Sequence, residues 1–256
     1  MRVDHVVKQF VGNQGAVTVF QNLSLEVTRG EFVSIIGPTG SGKTTLLNLF
    51  AGLDLPSQGA ITFHDAPIKG PDPKRGVVFQ QYALFPWLTV QRNVEFGLRV
   101  AGVPRAEMNQ IVDAYLEMMN LSAFRNAFPK ELSGGMKQRV SLARAYATRP
   151  EVLLMDEPFG ALDAQTKRML QYELLRIWSA EKSTVVFITH DIEEALLLSQ
   201  RILVLGGSPA TIVEKIDVPF PYPRDESMMS LPEFSRLREK LWSELRGVVG
   251  RSKTMN

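Results

Sequence analysis

A glycine-rich run early in the chain has the residue types and the spacing of a phosphate-binding loop. Two glycines with four residues between them are followed at once by a lysine and two threonines: Gly37, Pro38, Thr39, Gly40, Ser41, Gly42, Lys43, Thr44 and Thr45. Glycines allow the backbone to curl around phosphate oxygens with its N–H groups pointing inward. Lys43 is then expected to reach the β- and γ-phosphates, and the Thr44 hydroxyl to bind Mg²⁺. All of these residues are therefore predicted to bind a nucleoside triphosphate.

The residues that flank this run favour the same interpretation over a chance match. A strand-like stretch, Glu31–Ile36, precedes the run, and a helical pattern with Leu46, Leu47 and Phe50 follows it. A phosphate-binding loop needs this context of a strand before and a helix after. The N-terminus of the helix adds its positive end to the site.

Two acidic residues close a second apolar run, far along the chain from Lys43. Asp156 and Glu157 directly follow Val152–Met155. Asp156 is expected to hold Mg²⁺, directly or through water, and Glu157 to orient or deprotonate an attacking water. Most acidic pairs at strand ends are merely solvated, but in the same chain as the glycine-rich loop this pair indicates hydrolysis of the bound nucleotide.

The elements that must position these residues begin with short strand-like runs. They are Val17–Phe20, Ser24–Val27, Glu31–Ile36, Ala60–Phe63, Val152–Met155 and Val185–Ile188. The last two are uninterrupted apolar runs, which are typical of parallel strands covered by helices on both faces. The pattern predicts an α/β fold with a mixed sheet at its core.

Helical periodicity replaces the strand pattern from about Val103 to Ala147 and returns near the C-terminus. In the first stretch the apolar residues recur on one helix face, as expected of core packing: Met108, Ile111, Val112, Tyr115, Leu116 and Met119. Gln165–Trp178 is also helix-like. Beyond several prolines, a last helical pattern carries Phe234, Leu237, Leu241, Trp242 and Leu245. The sequence thus predicts an inserted helical region and a short C-terminal helical tail docked by one apolar face.

Composition excludes several classes of function. None of the 256 residues is a cysteine, which excludes a disulfide scaffold, a thiolate metal site and a cysteine nucleophile. A net charge of +2 gives no reason to expect nucleic acid as a partner. The longest uncharged stretch, Gln9–Leu25, is interrupted by polar residues and glycine, whereas a membrane span needs roughly 20 mostly apolar residues. The strand-like N-terminus lacks the apolar run of a signal peptide, so a cytoplasmic chain is expected.

A second glycine-containing turn narrows the class of nucleotide-binding protein. Leu132–Arg139 reads LSGGMKQR and is followed by VSLARA. This run resembles the signature sequence of the ABC transporter ATPases, with Met136 where many members carry glutamine. Ser133, Gly134 and Gly135 would open a helix and form another anion-binding N-terminus, although such a triplet by itself is typical of a helix cap.

The resemblance implies a P-loop ATPase core and a head-to-tail pair of subunits, in which the signature of one closes over the ATP of the other. Four further motifs agree with it. Gln80 resembles the Q-loop residue that senses Mg²⁺ and the attacking water and links to the transport partner. Asp163 resembles the D-loop residue at the dimer interface, and His190 the residue that contacts the γ-phosphate. Phe10 stands where the family places an aromatic that stacks on adenine, although it could simply belong to the core.

Finer wording in three stretches is similar to the importers of nitrate, taurine and alkanesulfonates. The first stretch comprises Phe79 and Gln80, Leu84–Val90, and Asn93 with Val94; the second is Leu154–Thr166; the third comprises Ile212–Glu214 and Pro221–Asp225. Gly206–Ala210 departs from this branch, which more often carries an Arg-Pro-Gly stretch there. The resemblance implies an ATP hydrolase that needs Mg²⁺ and energises an importer of nitrate, aliphatic sulfonates or taurine.

The same resemblance implies partners, a location and domain bounds. The partners are a second ATPase subunit, integral membrane permease subunits and a solute-binding protein acting through the permease, with no nucleic acid. The chain would be peripheral, on the cytoplasmic face of the inner (cell) membrane. Residues 1–232 would form the ATPase domain, with a helical subdomain inserted at about 87–148, and residues 233–256 the helical tail.

Three other readings stay open at this point. The importer could carry another small solute, such as a thiamine-precursor pyrimidine. The chain could be a soluble ABC ATPase acting on nucleic acid or ribosomes, but those usually carry two ATPase cassettes or a long coiled-coil insert. A small-molecule kinase could use the same phosphate loop, but the signature and the Q-loop argue against it.

Overall fold

Ten strands and seven helices are present in the part of the chain that the computed structural model describes, which is residues 1–12 and 15–253, with side chains up to residue 248. The strands are β1 (Arg2–Gly12), β2 (Gly15–Glu26), β3 (Phe32–Ile36), β4 (Gln58–Phe63), β5 (Ala66–Pro67), β6 (Arg75–Val78), β7 (Val152–Asp156), β8 (Thr184–Ile188), β9 (Arg201–Gly207) and β10 (Ala210–Asp217). The helices are α1 (Lys43–Ala51), α2 (Val90–Val100), α3 (Arg105–Met118), α4 (Gly134–Ala147), α5 (Ala164–Glu181), α6 (Ile192–Leu198) and α7 (Pro232–Lys253).

These elements divide into two units, Met1–Pro71 with Thr184–Asn256, and Asp72–Ser183. The second unit begins and ends well outside the helical insert predicted at about 87–148. The proposed division into an ATPase domain, insert and tail stays a prediction, and residues 254–256 of that tail lie outside the described residues.

The first unit is built on a mixed sheet with the strand order β5-β4-β1-β2-β10-β9-β3-β8. Strand β3 pairs parallel with β8 and β9, whereas β1 pairs antiparallel with β2 and β4. All residues of β3 and β8 are buried. A parallel strand buried on both faces often reads as a continuous apolar run, and β8 was predicted from such a run. Strand β3, which includes the polar Ser34, lies within the predicted strand-like stretch Glu31–Ile36. The predicted α/β fold with a mixed sheet is confirmed.

Strand β2 runs through what the sequence suggested were two strands, Val17–Phe20 and Ser24–Val27. Between these two runs lies Asn22, which takes a left-handed backbone conformation with φ of 59°. Asparagine tolerates this conformation better than most residues. The register between β1 and β2 shifts along this stretch, so the strand bends without leaving the sheet.

The second unit combines a parallel pair of strands, β6 and β7, with helices α2 to α5. The helical stripe predicted as core is buried at five of its six positions: Met108, Val112, Tyr115, Leu116 and Met119. Trp178 near the end of α5 is also buried, and its indole N–H donates to the Ser183 carbonyl at 2.8 Å. The stripe is therefore packing, as predicted.

Helix α7 packs on β9 and α6 in the first unit. Its buried side chains include Phe234, Leu241 and Val248. Trp242 is 52% exposed, so the prediction that it belongs to the docked face was wrong. A Cβ on Gly206 would lie 2.5 Å from a Val248 methyl group, which explains a glycine at the start of the stretch that departs from the importer branch.

No helix in the described ranges combines the length and the apolar character needed to cross a membrane.

Candidate nucleotide-binding site

The glycine-rich loop connects β3 to α1 in the first unit, and its glycines are dictated by the backbone around them. Gly37 is buried, and a Cβ there would lie 2.4 Å from the Leu205 carbonyl oxygen of β9. Gly40 and Gly42 have φ angles of 80° and 86°, a region that disfavours other residues. The loop is therefore a tight turn held against the sheet, as a phosphate-binding loop requires.

Two polar side chains inside this loop differ in how they are satisfied. Lys43 is buried, and its Nζ donates to the carbonyls of Gly37 and Pro38 at 2.9 and 3.0 Å. The Ser41 hydroxyl is also buried, but it has no hydrogen-bond partner within the described residues. An unsatisfied buried hydroxyl costs about 1–3 kcal/mol. A phosphate oxygen bound in the loop would supply the missing partner, so the loop fits the predicted ligand.

The first turn of α1 leaves room for an anion. Gly42 caps the helix and has no side chain to occupy its free N–H groups, and the first turn contains no acidic residue. Thr44 is exposed and Thr45 half-buried at this end, and Thr39 is exposed on the loop. A helix N-terminus of this kind attracts phosphate through its N–H groups and its dipole.

His190 lies on a short turn between β8 and α6, also in the first unit. The His190 side chain is exposed. The turn is held by its neighbours, because the Asp191 amide donates to the Thr189 hydroxyl at 3.0 Å and the Asp191 carboxylate accepts from the Glu193 and Glu194 amides. The Thr189 hydroxyl also hydrogen-bonds the buried Glu194 carboxylate. The sequence marked His190 but not this support, whose only signal is an Asp followed by two Glu at a helix start.

Phe10 is 46% exposed on β1, so the alternative that it belongs to the core is wrong. The Lys8 ammonium lies 4.6 Å from the centre of its ring. That ammonium is itself anchored by Asp54 Oδ1 at 2.6 Å and by the Leu55 carbonyl at 2.9 Å. The ring is thus oriented by a cation on one side and remains available for stacking.

The acidic pair lies at the end of β7, in the second unit. Asp156 is the last residue of the strand, and Glu157 takes a left-handed conformation with φ of 43°. Non-glycine residues in this conformation are strained and concentrate at functional sites. Glu157 Oε2 and Gln80 Nε2 lie 3.7 and 3.9 Å from the position that a Cβ on Gly160 would take. Two residues predicted to act on the same water are therefore neighbours across a glycine.

Gln80 also borders a cavity of about 600 Å³ within the second unit. The Q-loop residues from Phe79 to Leu84 form most of its wall, and Asp156 and Lys137 complete it. This cavity links the predicted Q-loop to the first acidic residue and to the signature helix α4.

The signature turn begins α4 in the same unit. Ser133 is the N-cap, and its hydroxyl accepts the Met136 amide at 3.3 Å. A Cβ on Gly135 would lie 2.4 Å from the Thr166 methyl group, and one on Gly134 would lie 3.0 Å from the Tyr82 hydroxyl. The two glycines thus allow close packing, in addition to any role toward phosphate.

Asp163 caps the next helix, α5. Its carboxylate accepts the Thr166 amide at 3.0 Å, and hydrogen bonds from Thr166 hold the pKa of this carboxyl below its usual value. A structural role is therefore present at the residue that the sequence placed at a dimer interface.

The donors predicted for Mg²⁺ are a hydroxyl, an amide oxygen and a carboxylate, from Thr44, Gln80 and Asp156. Mg²⁺ prefers hard oxygen ligands and keeps several waters, so this donor set suits it. In the described part of the chain, no three histidine or acidic side chains are grouped to form an all-protein metal site.

The chain was compared with known proteins. A family model described as "ABC transporter" matches residues 20–160. The nitrate import ATP-binding protein NrtD of Synechocystis is 44% identical, over 96% of this chain and 95% of its own length. The taurine import ATP-binding protein TauB of Chromobacterium violaceum is also 44% identical, with the same coverage.

A solved structure gives the same result for the fold. The ATP-binding cassette MJ0796, a dimer in a post-hydrolysis state bound to ADP and Pi, superposes with a TM-score of 0.76 at 33% identity. The match covers 86% of this chain and 99% of that one.

Proposed function

The chain belongs to the ABC transporter family, and on that premise we propose that it is the ATP-hydrolysing subunit of an importer for a small oxyanion or a similarly small solute. The observation that carries the proposal is the glycine-rich loop. Within the described residues its buried Ser41 hydroxyl has no hydrogen-bond partner, and the N-terminus of α1 has no side-chain cap, so both can bind an anion. Relatives named as import ATP-binding proteins support the direction of transport.

The proposed cargo is nitrate, an aliphatic sulfonate or taurine. Support comes from the names of two relatives, one for nitrate import and one for taurine import, at equal identity to this chain. An importer of another small solute, such as a thiamine-precursor pyrimidine, is the alternative. The cargo passes through the permease, so the loop and the acidic pair serve every one of these solutes in the same way.

The first unit is proposed to bind the substrate ATP. Phe10 stacks on adenine, while the loop backbone and the Ser41 hydroxyl donate to phosphate oxygens. Lys43 exchanges its two carbonyl acceptors for the β- and γ-phosphates, and His190 contacts the γ-phosphate. When bound, Mg²⁺ neutralises charge on the phosphates, and Thr44, Gln80 and Asp156 would hold it.

The second unit is proposed to carry out hydrolysis. Glu157 accepts a proton from the water that attacks the γ-phosphorus, and the bond between that phosphorus and the ADP oxygen breaks. Gln80 positions the same water, which agrees with its place beside Glu157 around Gly160. A general base in this role contributes about 10²–10⁴-fold to the rate.

Closure is proposed to need a second copy or a paralogue of this subunit. Ser133, Gly134 and Gly135 of each subunit would bind the γ-phosphate held by the other, with Asp163 at the interface. The dimeric state of the MJ0796 cassette supports this arrangement. ATP would favour the closed dimer because the signature binds it better than ADP.

The remaining partners are proposed from the same family membership. The permease subunits would dock near Gln80–Trp87, and a solute-binding protein would act through them. The subunit would lie on the cytoplasmic face of the cell membrane. Its domains would be an ATPase domain over 1–232, with a helical subdomain inserted at about 87–148, and a tail over 233–256.

Turnover of the purified subunit reconstituted with its permease in proteoliposomes tests this proposal. Binding proteins loaded with nitrate, a sulfonate, taurine or a pyrimidine are added in turn. We expect one ligand to stimulate ATP hydrolysis at least fivefold, which identifies the cargo. Nucleotide-driven dimerisation with no stimulation by any ligand, together with recovery of the protein away from the membrane fraction, would instead indicate a soluble ABC ATPase.

A further inference from the structure

A loop segment between the Q-loop and α2, residues 82–89, carries exposed aromatic surface on a firmly anchored backbone. Trp87 is 70% exposed, and Phe85 lies within 5.7 Å of its ring centre. Apolar side chains on a surface loop are normally mobile unless polar groups hold the backbone. Two side chains from neighbouring helices hydrogen-bond the backbone of the 82–89 segment.

The first anchor is Asn93 on α2, which is fully buried. Its Oδ1 accepts the Phe85 amide at 2.8 Å. Its Nδ2 donates to the carbonyls of Phe85, Leu88 and Thr89, at distances of 3.0 to 3.2 Å. One amide side chain therefore ties the end of the segment to the start of α2.

The second anchor is Arg144 on α4, the helix that the signature turn begins. Its guanidinium donates to the Ala83 carbonyl at 2.7 Å and to the Tyr82 carbonyl at 3.2 Å. The same group lies 5.7 Å from the centre of the Phe85 ring, within cation–π range. Burial lowers the pKa of this guanidinium, as expected for a charge taken partly out of water.

The backbone that Arg144 holds is one that would not keep its shape alone. Ala83 has a φ of 47°, a left-handed conformation that an alanine rarely adopts. The Tyr82 hydroxyl packs against Gly134, so the segment touches α4 at its first turn as well as near its end. The planar guanidinium presents two fixed N–H groups to successive carbonyls while its face lies over a ring, a geometry that a lysine ammonium does not hold as rigidly.

We infer that Arg144 is a positioning residue that couples the 82–89 segment to the signature helix, so that a push on the aromatic segment moves Ser133 as well. This inference rests on the proposed function in one respect, which is that a permease helix exerts the force on the segment. It concerns transmission only: Arg144 contacts neither the glycine-rich loop nor the acidic pair in the contacts described, and basal hydrolysis should not need it.

The variant Arg144→Lys keeps the positive charge but loses the planar guanidinium that bonds the Ala83 and Tyr82 carbonyls. Arg176→Lys is the matched control, because Arg176 donates to the Met118 carbonyl, away from the segment. Both are made in a Trp242→Phe background, which leaves two tryptophans, the exposed Trp87 and the buried Trp178. Phe85→Leu, which removes the stacked ring but leaves both carbonyl bonds, is a second test if Arg144→Lys folds poorly.

In the isolated subunit, we expect Arg144→Lys to lower the Trp87 anisotropy and to raise its quenching by acrylamide about twofold. The melting temperature should match that of the control, and ATP-driven dimerisation and basal turnover should stay within twofold of the control values. In proteoliposomes, stimulation of turnover by permease and loaded binding protein should fall at least tenfold. Phe85→Leu should lie between the control and Arg144→Lys.

Three results would overturn the inference: unchanged Trp87 mobility, full stimulation in Arg144→Lys, or a loss of basal turnover as large as the loss of stimulation. A control protein that permease never stimulates would contradict the proposed function instead. In that case the Trp87 measurement still decides whether Arg144 anchors the segment.

Discussion

The glycine-rich loop and the signature turn both open a helix with glycines, yet the two N-termini are prepared differently. At α1 the cap is a glycine, and the neighbouring Ser41 hydroxyl is buried without a partner in the described chain. At α4 the cap is Ser133, which is exposed and already accepts the Met136 amide. The glycine-rich loop therefore has a buried hydroxyl that needs a ligand as its hydrogen-bond partner. The signature turn already has its helix cap and does not need a ligand for it.

This difference explains why two motifs of similar composition can do complementary work. Within the described residues the Ser41 hydroxyl has no partner to give up on binding, whereas Lys43 would exchange its two carbonyl acceptors for phosphate oxygens. The Ser133 hydroxyl accepts the Met136 amide and keeps its own proton, so it can donate to an acceptor such as a γ-phosphate without losing the helix cap.

The largest effect is expected where both N-termini meet one nucleotide. Glu157→Gln should lower turnover about 10³-fold, because the base is lost, and ATP should then trap a stable dimer on gel filtration. Adding Ser133→Arg should abolish the trapped dimer while ATP binding to the monomer persists. Brisk hydrolysis by Glu157→Gln, or a dimer in the double variant, would contradict the separate roles of the two turns.

A smaller effect is expected from one methyl group at each turn. Gly37→Ala forces a Cβ onto the Leu205 carbonyl of the sheet and should cost about 2–3 kcal/mol of unfolding free energy. Gly135→Ala places a Cβ 2.4 Å from the Thr166 methyl, a side-chain atom that has to shift, but it gains helix propensity, so it should cost about 1 kcal/mol less than Gly37→Ala. Chemical denaturation of both variants measures this, and equal losses would show that the loop is not the more tightly packed turn.

The smallest effect is expected when each serine is replaced by alanine, where the change in ligand-free stability should differ in sign between the two turns. Ser41→Ala removes an unsatisfied hydroxyl and should leave the ligand-free melting temperature unchanged or higher, while ATP affinity falls several-fold. Ser133→Ala removes a working helix cap and should cost about 1 kcal/mol without changing ATP affinity of the monomer. Calorimetry with and without ATP separates the two, and a destabilised Ser41→Ala would refute the idea of a preformed loop.

Local patterns predicted most of what lies within one element or one turn. The buried strands β3 and β8, the helical core stripe and the spacing of the glycine-rich loop all follow from residues close together in the chain. Predictions that needed distant neighbours were less successful. Two strands were predicted where the single strand β2 runs, and Trp242 was predicted to lie on the docked face of α7 but is half-exposed. In both cases the partner that decides the outcome is remote in sequence.

The site shows the same division. Sequence alone identified Ser41, Ser133 and Asp163 as candidates and indicated a helix cap at Ser133. It did not indicate that Asp163 caps α5, or that the Ser41 hydroxyl has no hydrogen-bond partner within the described residues. No sequence pattern marks Arg144 as a positioning residue, because its two carbonyl acceptors, on Ala83 and Tyr82, lie far from it in the sequence.

By itself, the sequence determined the phosphate-binding chemistry, the α/β class and the family, because glycine, lysine and carboxylate at fixed spacings act through local backbone geometry. Only the tertiary structure decided which glycines are required by packing, which buried hydroxyl has no hydrogen-bond partner in the described chain, and which arginine holds the aromatic segment. These outcomes depend on contacts such as Gly37 with Leu205 and Arg144 with Ala83. Such contacts are set by how strands and helices pack, and the identity of the residue at either end does not specify the other.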